Sequence, residues 1–387
     1  MTPDSKHESP SGLRLHTSNP SKIRQSLGGV GRNVAIACQH LGVPARLCSI
    51  VGSDLWGETA LKILSSQGLS AQRVKQALGS QFSTAQYVAI NDANRELFIA
   101  AADMTVLENV NTMRIDESNY LKKLSQWINC TPSWLVVDAN WNSAVTRWWM
   151  ETGKALGARV AFEPVSIAKS TRIMEGSQNS SKHASLPVYP NHLMDLMTPN
   201  QFELKAMFES LRASEVCEHE GWFKIIDSFA LSGALTPDRL IALTNTDLVS
   251  AGVPQQSIQL LPFVPCIMTT LGSQGVLVSQ LLHRNDARLA SPEVSPYLLS
   301  CTNSPETSVG GVYLRLFPSV EHVRKESVCS VNGAGDTFLG ALIAAAVRRP
   351  DKNIEDLVDF AQSCAVMSMR SEEAVSPEIK SLRLNDP

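Results

Sequence analysis

The feature of this sequence that most limits its fold is a long alternation of helix-like and strand-like segments. Apolar residues recur at helical spacing in SAVTRWWMETGKALG and QFELKAMFESLR, and short apolar runs such as SWLVVDA and ARVAFEPV lie between such segments. This order is typical of proteins in which helices cover a mostly parallel sheet. We therefore predict an α/β fold.

Polar side chains follow the predicted strands. In open α/β sheets, ligands bind beyond the carboxyl ends of the strands. The sequence therefore predicts that the residues at these ends share one rim of the sheet and form a binding site there. The residues are Asp138, Asn140, Glu163, Asn200 and Glu203.

Several stretches fit the alternation poorly and suggest domain boundaries. The N-terminal residues are rich in Pro and Ser, which predicts a disordered polar lead-in. The runs TAQYVAI and ELFIAAA flank the polar turn NDANR and predict a hairpin, which we interpret as a lid. The predicted divisions are a lead-in at 1–26, one domain at 27–377, the lid at about 80–105, surface insertions at about 209–262 and 281–308, and a tail at 378–387.

The charge of the chain limits its partners. Its 34 Lys and Arg residues and 37 Asp and Glu residues give a formal net charge of −3. This balance lacks the basic excess of a nucleic-acid binder. No run approaches the ~18 apolar residues of a membrane span, and no secretory signal is visible. We expect a cytoplasmic protein with a small-molecule partner, no nucleic acid and no membrane. The oligomeric state is left open, a homodimer being one option.

The sharpest local signal is SVNGAGD at residues 330–336, followed at once by the apolar run TFLGALIAAAV. Gly333, Ala334 and Gly335 are small, so backbone N–H groups can converge on an oxyanion where a helix begins. Asp336 could take a proton from an alcohol while this cradle holds the charge of a transferred phosphoryl group. The alternative is an ordinary glycine turn with Asp336 as a capping residue.

A second glycine cluster, LGGVGRN at residues 27–33, also precedes a helix-like run. It is not a dinucleotide fingerprint, because Val34 holds the third glycine position and no strand precedes it. Gly28 and Gly29 permit the close approach of a small polyhydroxylated ligand, and Asn33 offers a donor and an acceptor to vicinal hydroxyls. The alternative is a helix N-cap by Asn33.

Asn200 and Glu203 lie three residues apart at a predicted strand-to-helix junction. Both can project to one side of the first helical turn, where their oxygens could hold Mg²⁺ directly or through water. A capping box, with Asn200 as the N-cap and Glu203 at the third helical position, explains the same spacing. Both interpretations stay open.

The segment TTLGSQGV at residues 269–276 places two glycines between apolar strands. Thr270, Gly272 and Gly275 could border a nucleotide or only turn a hairpin. The residues alone favour the hairpin.

In this order, GGVGRN, the hairpin, PNQFEL, TTLGSQGVLV and VNGAGDTFLGALIAA resemble the PfkB (ribokinase-like) family of carbohydrate kinases. The resemblance extends from about Leu27 to Pro377. HTSNPSKIRQSLGGVGRNVA, VVDANW, FEPVS and GGVYLRLFP are more closely similar to the kinase part of fungal pseudouridine-metabolising proteins, in which a glycosidase is joined to such a kinase. The resemblance implies a Rossmann-like, three-layer ribokinase fold with a mostly parallel central sheet and a small β lid.

The resemblance also implies a reaction, which is ATP-dependent phosphorylation of the 5′-hydroxyl of a nucleoside or sugar. Pseudouridine, giving pseudouridine 5′-phosphate, is the favoured substrate. Asp336 is then the base, and Gly333, Ala334 and Gly335 form the anion hole. The implied cofactor-binding residues are Thr270, Gly272, Gly275, Asn200 and Glu203, of which the last two organise Mg²⁺ through water. The expected substrate-binding residues are Gly28, Gly29, Asn33, Asn140 and Lys169. A solvated surface lysine is the alternative for Lys169, and a K⁺ requirement is left open.

The chain departs from the family pattern in two places. Ser330 and Val331 precede GAGD where Asp and Thr are usual. Family members also begin with a strand that supplies an Asp to sugar hydroxyls, and residues 1–26 contain no such strand, so we expect an exposed sheet edge. The alternatives are therefore another PfkB kinase, of the ribokinase or adenosine kinase type, and a catalytically impaired ligand-binding relative. A functional link to a pseudouridine-5′-phosphate glycosidase is a further expectation.

Overall fold

A computed structural model describes most of the chain, and it divides the chain into two compact units. The smaller unit comprises residues 1–27 and 47–120, and the larger unit comprises residues 28–46 and 121–387. None of the helices in the described ranges combines the length and the apolar character needed to cross a membrane. The described ranges are 16–23, 25–77, 82–91, 97–108, 132–174, 186–214, 220–231, 237–302 and 306–384.

The regular elements of these ranges are numbered in chain order. The strands are β1 (Ser49–Val51), β2 (Val74–Gln76), β3 (Gln86–Asn91), β4 (Leu97–Asp103), β5 (Trp134–Asp138), β6 (Arg159–Glu163), β7 (Leu196–Met197), β8 (Cys266–Thr270), β9 (Val276–His283), β10 (Leu298–Cys301) and β11 (Val309–Phe317). The α-helices are α1 (Val30–His40), α2 (Leu55–Ser66), α3 (Thr105–Glu108), α4 (Ser143–Ala155), α5 (Ile167–Ser170), α6 (Gln201–Ala213), α7 (Glu220–Ser228), α8 (Pro237–Leu243), α9 (Thr246–Ser250), α10 (Val253–Leu260), α11 (Ala334–Arg348) and α12 (Val358–Met369).

A seven-stranded sheet lies at the centre of the larger unit, in the order β10-β11-β9-β8-β7-β6-β5. The neighbours from β5 to β8 are parallel, whereas β8, β9, β11 and β10 pair antiparallel. The predicted α/β class is therefore confirmed, but only part of the sheet is parallel. The reason is local: β8 and β9 are joined by the short glycine turn of TTLGSQGV, which allows only an antiparallel return.

The smaller unit contains two separate two-stranded sheets. β1 pairs with β2 in parallel, and β3 pairs with β4 antiparallel. The second pair consists of the two strands that the sequence predicts to form a hairpin, while residues 92–96 between them lie outside the described ranges. The function of this hairpin as a lid stays a prediction.

β5 lies at one end of the large sheet among the described strands. In the described ranges 16–23 and 25–29, no strand precedes α1, and β5 has β6 as its only sheet partner within the described residues. Asp138 ends this strand and places a carboxylate at this side of the sheet.

Helix α1 begins earlier than the sequence predicts. Its first residue is Val30, and Gly29 is the N-cap, with φ at 103°. Glycine adopts this backbone conformation without steric cost. Asn33 therefore lies within the first turn, where its N–H donates to the Gly29 carbonyl at 2.8 Å. The alternative in which Asn33 is the N-cap is wrong, and its side chain is available for contacts with other elements.

Helices α1 and α11 pack against each other, and α11 also packs against α12. A Cβ atom on Gly340 would stand 2.6 Å from the Cβ of Ala37 and 2.8 Å from the Val34 carbonyl oxygen. Glycine at this position therefore permits the close approach of α1 and α11. One helical turn before the contact, α1 carries Asn33 and α11 carries Asp336, so the same approach brings the two glycine motifs together.

Segments that the sequence assigned to the surface contribute to the larger unit. The interval 281–308 includes the whole of β10, which pairs with β11, so this interval is not wholly a surface insertion. In the interval 209–262, α10 packs against α6 and the side chains of Ile258 and Leu260 are buried. Binary patterning alone did not reveal these contacts because the buried residues belong to short helices.

The predicted C-terminal tail also packs against the larger unit. Ile379 and Leu384 are buried. The Leu384 N–H donates to the Leu41 carbonyl at 3.2 Å. The described part of the predicted tail, residues 378–384, therefore belongs to the larger unit.

Candidate functional site

Asp336 stands in the first turn of α11, directly after a glycine that the turn requires. Gly333 is the N-cap, with φ at 81° in the left-handed region. A Cβ atom there would lie 2.2 Å from the Ala374 carbonyl oxygen, so a side chain is excluded both by backbone conformation and by space. Asp336 makes no side-chain cap hydrogen bond. The alternative in which Asp336 caps the helix is therefore wrong, and its carboxylate faces other groups.

The start of α11 is the predicted anion cradle. The first N–H groups of a helix have no acceptor within the helix. Here the Ala334 N–H is satisfied by the Val331 carbonyl at 3.3 Å, and the first regular helical bond is the one from the Thr337 N–H to the Gly333 carbonyl at 2.8 Å. Gly335 is exposed, and a Cβ atom on it would meet open space. The N–H groups of Gly335 and Asp336 and the positive end of the helix dipole can therefore bind an anion.

The structure places Asn33 beside Asp336. The Asn33 Nδ2 atom donates to the Asp336 Oδ2 atom at 2.7 Å, and an Arg32 Nη1 hydrogen is donated to the Asn33 Oδ1 atom at 2.9 Å. The sequence predicts that Asn33 binds vicinal hydroxyls through both ends of its amide. Both ends instead contact protein groups, which leaves one Nδ2 hydrogen and one lone pair of Oδ1 for a ligand.

The environment of Asp336 raises its pKa from 3.8 to about 6. Burial is the main cause, because it disfavours the charged form, and the negative charge of Asp138 adds to it. The hydrogen bond from Asn33 and the positive charge of Arg32 act in the opposite direction. A carboxylate with a pKa of about 6 is ionised at neutral pH and binds a proton more readily than an ordinary aspartate, as a general base requires.

Asp138 connects the glycine cluster LGGVGRN to the end of β5 through hydrogen bonds. Its Oδ2 atom accepts from the Gly31 N–H at 3.1 Å, and its Oδ1 atom accepts from the Asn140 N–H at 2.9 Å. Lys169 Nζ donates to the Asn140 Oδ1 atom at 2.6 Å. Burial raises the pKa of Asp138, while its hydrogen bonds and the charge of Lys169 oppose that shift. Lys169 is thus half-buried and bonded to Asn140, and its role as a substrate-binding residue stays a prediction.

Glu163 ends β6 next to Asp138 in the sheet register. It is buried, and its Oε2 atom accepts from the Thr198 hydroxyl at 2.7 Å. Burial raises the pKa of Glu163 well above its ordinary value, and the nearby charges of Asp336 and Glu203 act in the same direction. The rim therefore carries several carboxylates held close enough to influence each other, as the sequence predicts for the strand ends.

Asn200 and Glu203 form the capping box that the sequence offered as one of two interpretations. Asn200 Oδ1 accepts from the Phe202 and Glu203 N–H groups at 2.9 and 3.0 Å, and Glu203 Oε2 accepts from the Asn200 N–H at 2.8 Å. Burial raises the pKa of the Glu203 carboxyl group, and hydrogen bonds from the backbone and side chain of Asn200 oppose that shift. One carboxylate oxygen fits an ion held mainly by water and phosphate. Among the described residues, no three His, Cys, Asp or Glu side chains are arranged to hold a metal.

The TTLGSQGV segment is the hairpin that the residues favoured. β8 and β9 pair antiparallel, and the Leu271 N–H donates to the Gly275 carbonyl at 2.9 Å. Thr270 forms a bridge with Asn200, so this turn adjoins the capping box. A nucleotide-binding role for Thr270, Gly272 and Gly275 stays a prediction.

Sequence reasoning missed three contributors to this site. Asp138 and Glu163 were placed at the rim but received no role, although each directly follows an apolar strand. Arg32 was not singled out at all. The available signal was its place inside GGVGRN, directly before Asn33 and the apolar run VAIAC at residues 34–38.

The fold and the site together define a class. The mixed sheet with carboxylates at its rim, and the helix that carries Asp336 in its first turn close to them, agree with the ribokinase fold of the solved structures that the chain resembles. The chain is similar in structure to ribokinase of Arabidopsis thaliana complexed with ribose and ATP, with a TM-score of 0.56 and 13% sequence identity over 95% of this chain and 91% of that chain. At this identity the likeness shows the fold.

A family model and two relatives give the next step. The model described as pfkB family carbohydrate kinase matches residues 6–221 and 318–381. The chain is 29% identical to a pseudouridine-metabolizing bifunctional protein of Schizosaccharomyces pombe over 95% of this chain and 44% of that protein. It is 26% identical to a pseudouridine kinase of Arabidopsis thaliana over 97% of this chain and 90% of that protein. The chain thus spans less than half of the fission yeast relative, and it belongs to the pfkB family of carbohydrate kinases.

Proposed function

We propose that this chain transfers the γ-phosphoryl group of ATP to the 5′-hydroxyl of a nucleoside or sugar. The observation that carries the proposal is the position of Asp336. Its side chain is half-buried and held by Asn33 at 2.7 Å, and it stands in the first turn of α11, where the N–H groups have no acceptor within the helix. A base and an anion cradle on adjacent residues suit phosphoryl transfer to an alcohol. In that reaction the attacking oxygen loses a proton while the transferred phosphoryl group carries growing negative charge.

The proposed reaction replaces one O–P bond by another. The 5′-oxygen attacks the γ-phosphorus, the new O–P bond forms, and the bond from that phosphorus to the β,γ-bridging oxygen breaks. ADP leaves, and the hydroxyl proton passes to the Asp336 carboxylate. The N–H groups of Gly335 and Asp336 stabilise the charge on the transferred group. With a pKa of about 6, Asp336 is ready to accept that proton at neutral pH.

The cofactor assignments rest on the remaining rim residues. Thr270, Gly272 and Gly275 border the nucleotide, and Glu203 Oε1 holds Mg²⁺ through water, with Asn200 orienting Glu203 through the capping box. When bound, Mg²⁺ neutralises phosphate charge during the transfer. Burial of Glu203 is consistent with this role, because a buried carboxylate without a positively charged partner among the causes of its pKa shift gains from a nearby cation.

Pseudouridine is the substrate that we favour. The two relatives reported above carry pseudouridine in their names and align with nearly all of this chain. Gly28, Gly29 and the remaining Asn33 donor would contact the ribose, and Asn140, held by Lys169 at 2.6 Å, would contribute a fixed amide at the β5 edge. The bifunctional relative supports a link to a second enzyme of pseudouridine metabolism. Another nucleoside or sugar is the alternative substrate.

The test is a phosphotransfer assay with matched acceptors. The purified chain is incubated with Mg²⁺ and ATP and with pseudouridine, uridine, ribose or adenosine, and ADP release and the ³¹P spectrum of the product are followed. Uridine differs from pseudouridine in the attachment of the base, and 5′-deoxypseudouridine lacks the accepting hydroxyl. We expect turnover with pseudouridine and none with the 5′-deoxy compound. Turnover of ribose or adenosine alone would move the substrate assignment, and ATP binding without any turnover would favour a non-catalytic relative.

A further inference from the structure

Arg32 is a buried charged residue for which the proposed reaction supplies no role. It is 9% exposed, and burial lowers its pKa. Removing a guanidinium from water is costly unless its donors are engaged. Its Nη1 atom donates to the Asn33 Oδ1 atom at 2.9 Å, and Asn33 is itself only 5% exposed. The site therefore keeps a desolvated cation against a neutral amide that in turn contacts Asp336.

The hydrogen-bonding capacity of these groups determines the orientation of the Asn33 amide. A guanidinium can only donate hydrogen bonds, so the Asn33 atom that faces it must be the carbonyl oxygen. The amide is planar, and the opposite atom, Nδ2, then faces Asp336, to which it donates at 2.7 Å. An amide rotated by half a turn would present its oxygen to the carboxylate and two donors to Arg32, which is unfavourable on both sides.

We propose that Arg32 is a positioning residue that acts through Asn33 by fixing the orientation of the amide that holds the Asp336 carboxylate. The proposal rests on the proposed function in treating Asp336 as the base. Arg32 does not need to touch the substrate for this role. Its effect on kcat at pH 8, where Asp336 is ionised, must therefore pass through Asn33, and this dependence can be measured.

The charged groups around Asp336 determine in which direction the loss of Arg32 shifts the pKa of Asp336. Asp138 from β5 raises the pKa of Asp336, and Glu163 from β6 is close enough to be coupled to it. Arg32 from α1 lowers it. Glu373, from the segment after α12, interacts with Arg32 rather than with Asp336. Loss of Arg32 removes the positive charge from this set, so the pKa of Asp336 rises.

The first experiment compares Arg32→Met with Arg32→Lys by the pH dependence of kcat and kcat/KM. For Arg32→Met we expect a roughly tenfold lower kcat at pH 8 and an acidic limb of kcat/KM shifted upward by about 0.5–1 pH unit, with KM for ATP within about twofold. Arg32→Lys keeps the charge but not the planar fork, so the acidic limb stays in place while kcat falls. Arg147→Met, which removes an arginine from the exposed pair with Glu151, is the control and leaves the profile unchanged.

The second experiment tests the route through Asn33. If Arg32 acts through this amide, the double variant Arg32→Met/Asn33→Ala has about the same kcat as Asn33→Ala alone. Guanidinium ion at low millimolar concentration restores part of the activity of Arg32→Ala but not of the matched double variant Arg32→Ala/Asn33→Ala. Additive losses of kcat, or an Arg32→Met variant with the wild-type kcat and acidic limb, would overturn the proposal.

The action of Arg32 on Asp336, which we call the relay, can fail separately from the proposed function. Wild-type protein that phosphorylates no acceptor contradicts the proposed reaction. The ¹³C titration of the Asp336 carboxyl carbon, assigned with Asp336→Asn, still tests the relay in that case, because it needs no turnover. We expect this titration to move to higher pH in Arg32→Met and to keep its position in Arg32→Lys. An unmoved titration in folded Arg32→Met contradicts the relay.

Discussion

Two aspartates of the larger unit occupy opposite kinds of environment. Asp195, next to the start of β6, accepts from Lys154 Nζ at 2.8 and 2.9 Å, from His192 Nε2 at 2.9 Å and from the Val160 N–H at 2.7 Å. These donors lower its pKa despite partial burial. Asp336, at the rim beyond the strands, has within the described residues one hydrogen-bond donor, the Asn33 amide, and its pKa rises to about 6.

The difference separates a carboxylate that stabilises the fold from one that is available for chemistry. The carboxylate oxygens of Asp195 accept hydrogen bonds from fixed partners in the fold. Its ionised form is therefore strongly favoured and is a poor proton acceptor. Asp336 is buried with few partners and with Asp138 nearby, which costs folding free energy but leaves it a better base. The same residue type thus serves two purposes because its neighbours differ.

The largest expected effect is on turnover. Asp336→Asn should lower kcat by roughly 10²- to 10⁴-fold, since the amide cannot accept the hydroxyl proton, while KM for ATP changes little. Steady-state kinetics with pseudouridine and ATP measure this. Asp195→Asn is the comparison variant and should keep the kcat of the folded protein. Equal losses in the two variants would show that Asp336 has no special place in the reaction.

The two variants should change stability in opposite directions. Asp336 has a raised pKa in the folded protein, so its ionisation costs stability above its ordinary value of 3.8 and most fully above about 6. At pH 7, Asp336→Asn should raise the free energy of unfolding by about 1–3 kcal/mol. Asp195 has a lowered pKa, and its contribution is present above 3.8 and lost as pH falls, so Asp195→Asn should cost about 1–3 kcal/mol at pH 7.

Urea unfolding at pH 7 and pH 4 checks these signs. The gain from Asp336→Asn should fall to roughly 0.5 kcal/mol at pH 4, because the aspartate is then protonated in the folded state and already partly protonated in the unfolded state. A destabilised Asp336→Asn variant at pH 7 would mean that the rim carboxylate is a structural partner like Asp195.

Turnover should depend on pH through Asp336. Because only the ionised carboxylate can act as the base, kcat/KM should fall below pH of about 6, approaching tenfold for each further pH unit. The profile of kcat/KM reports the free protein and is the appropriate measurement. Rates that stay constant down to pH 4.5 in folded protein would assign the proton to another acceptor.

Two glycine variants separate effects on the stability of the fold from effects on phosphate binding at the anion cradle. Gly333→Ala should destabilise the protein, because a Cβ atom there would stand 2.2 Å from the Ala374 carbonyl oxygen at a positive φ. Gly335→Ala meets open space in the protein, so the fold should keep its stability. If phosphate binds at this turn, the added methyl should lower kcat by about tenfold. Thermal melts and kinetics together test the pair, and a fully active Gly335→Ala would place the phosphate elsewhere.

The smallest expected effect concerns the substrate side. Lys169→Met removes the donor that holds Asn140 at 2.6 Å, so the KM for the nucleoside should rise by about three- to tenfold. The KM for ATP should not change, because Asn140 lies at the β5 edge. Measuring the two constants on the same variant is the check, and an effect on ATP alone would contradict the assignment of this edge to the nucleoside.

Much of the fold could be predicted from local pattern. The alternation gave the α/β class, and the residues of GAGD and PNQFEL were placed correctly at helix starts. The start of α1 was wrong because Gly29 takes a positive φ that no periodicity reveals. The sequence also gave no means to see that β10 joins the sheet or that Leu384 is buried, since both depend on contacts between distant segments.

The site shows the same limit. Its strand-end residues follow from topology, which places carboxyl ends of parallel strands at one rim. The contact of Asn33 with Asp336 depends on the close approach of α1 and α11 at Gly340, and 303 positions separate the two residues. Arg32 escaped notice because a single arginine in a helix is ordinarily a solvent-exposed residue.

The most direct test of the central claim is a crystal structure with a non-hydrolysable ATP analogue and pseudouridine bound together. We predict the γ-phosphate analogue within hydrogen-bond distance of the N–H groups of Gly335 and Asp336, and the 5′-oxygen within hydrogen-bond distance of the Asp336 carboxylate. A γ-phosphate bound away from the start of α11, or a 5′-oxygen held by a different carboxylate, would contradict the account.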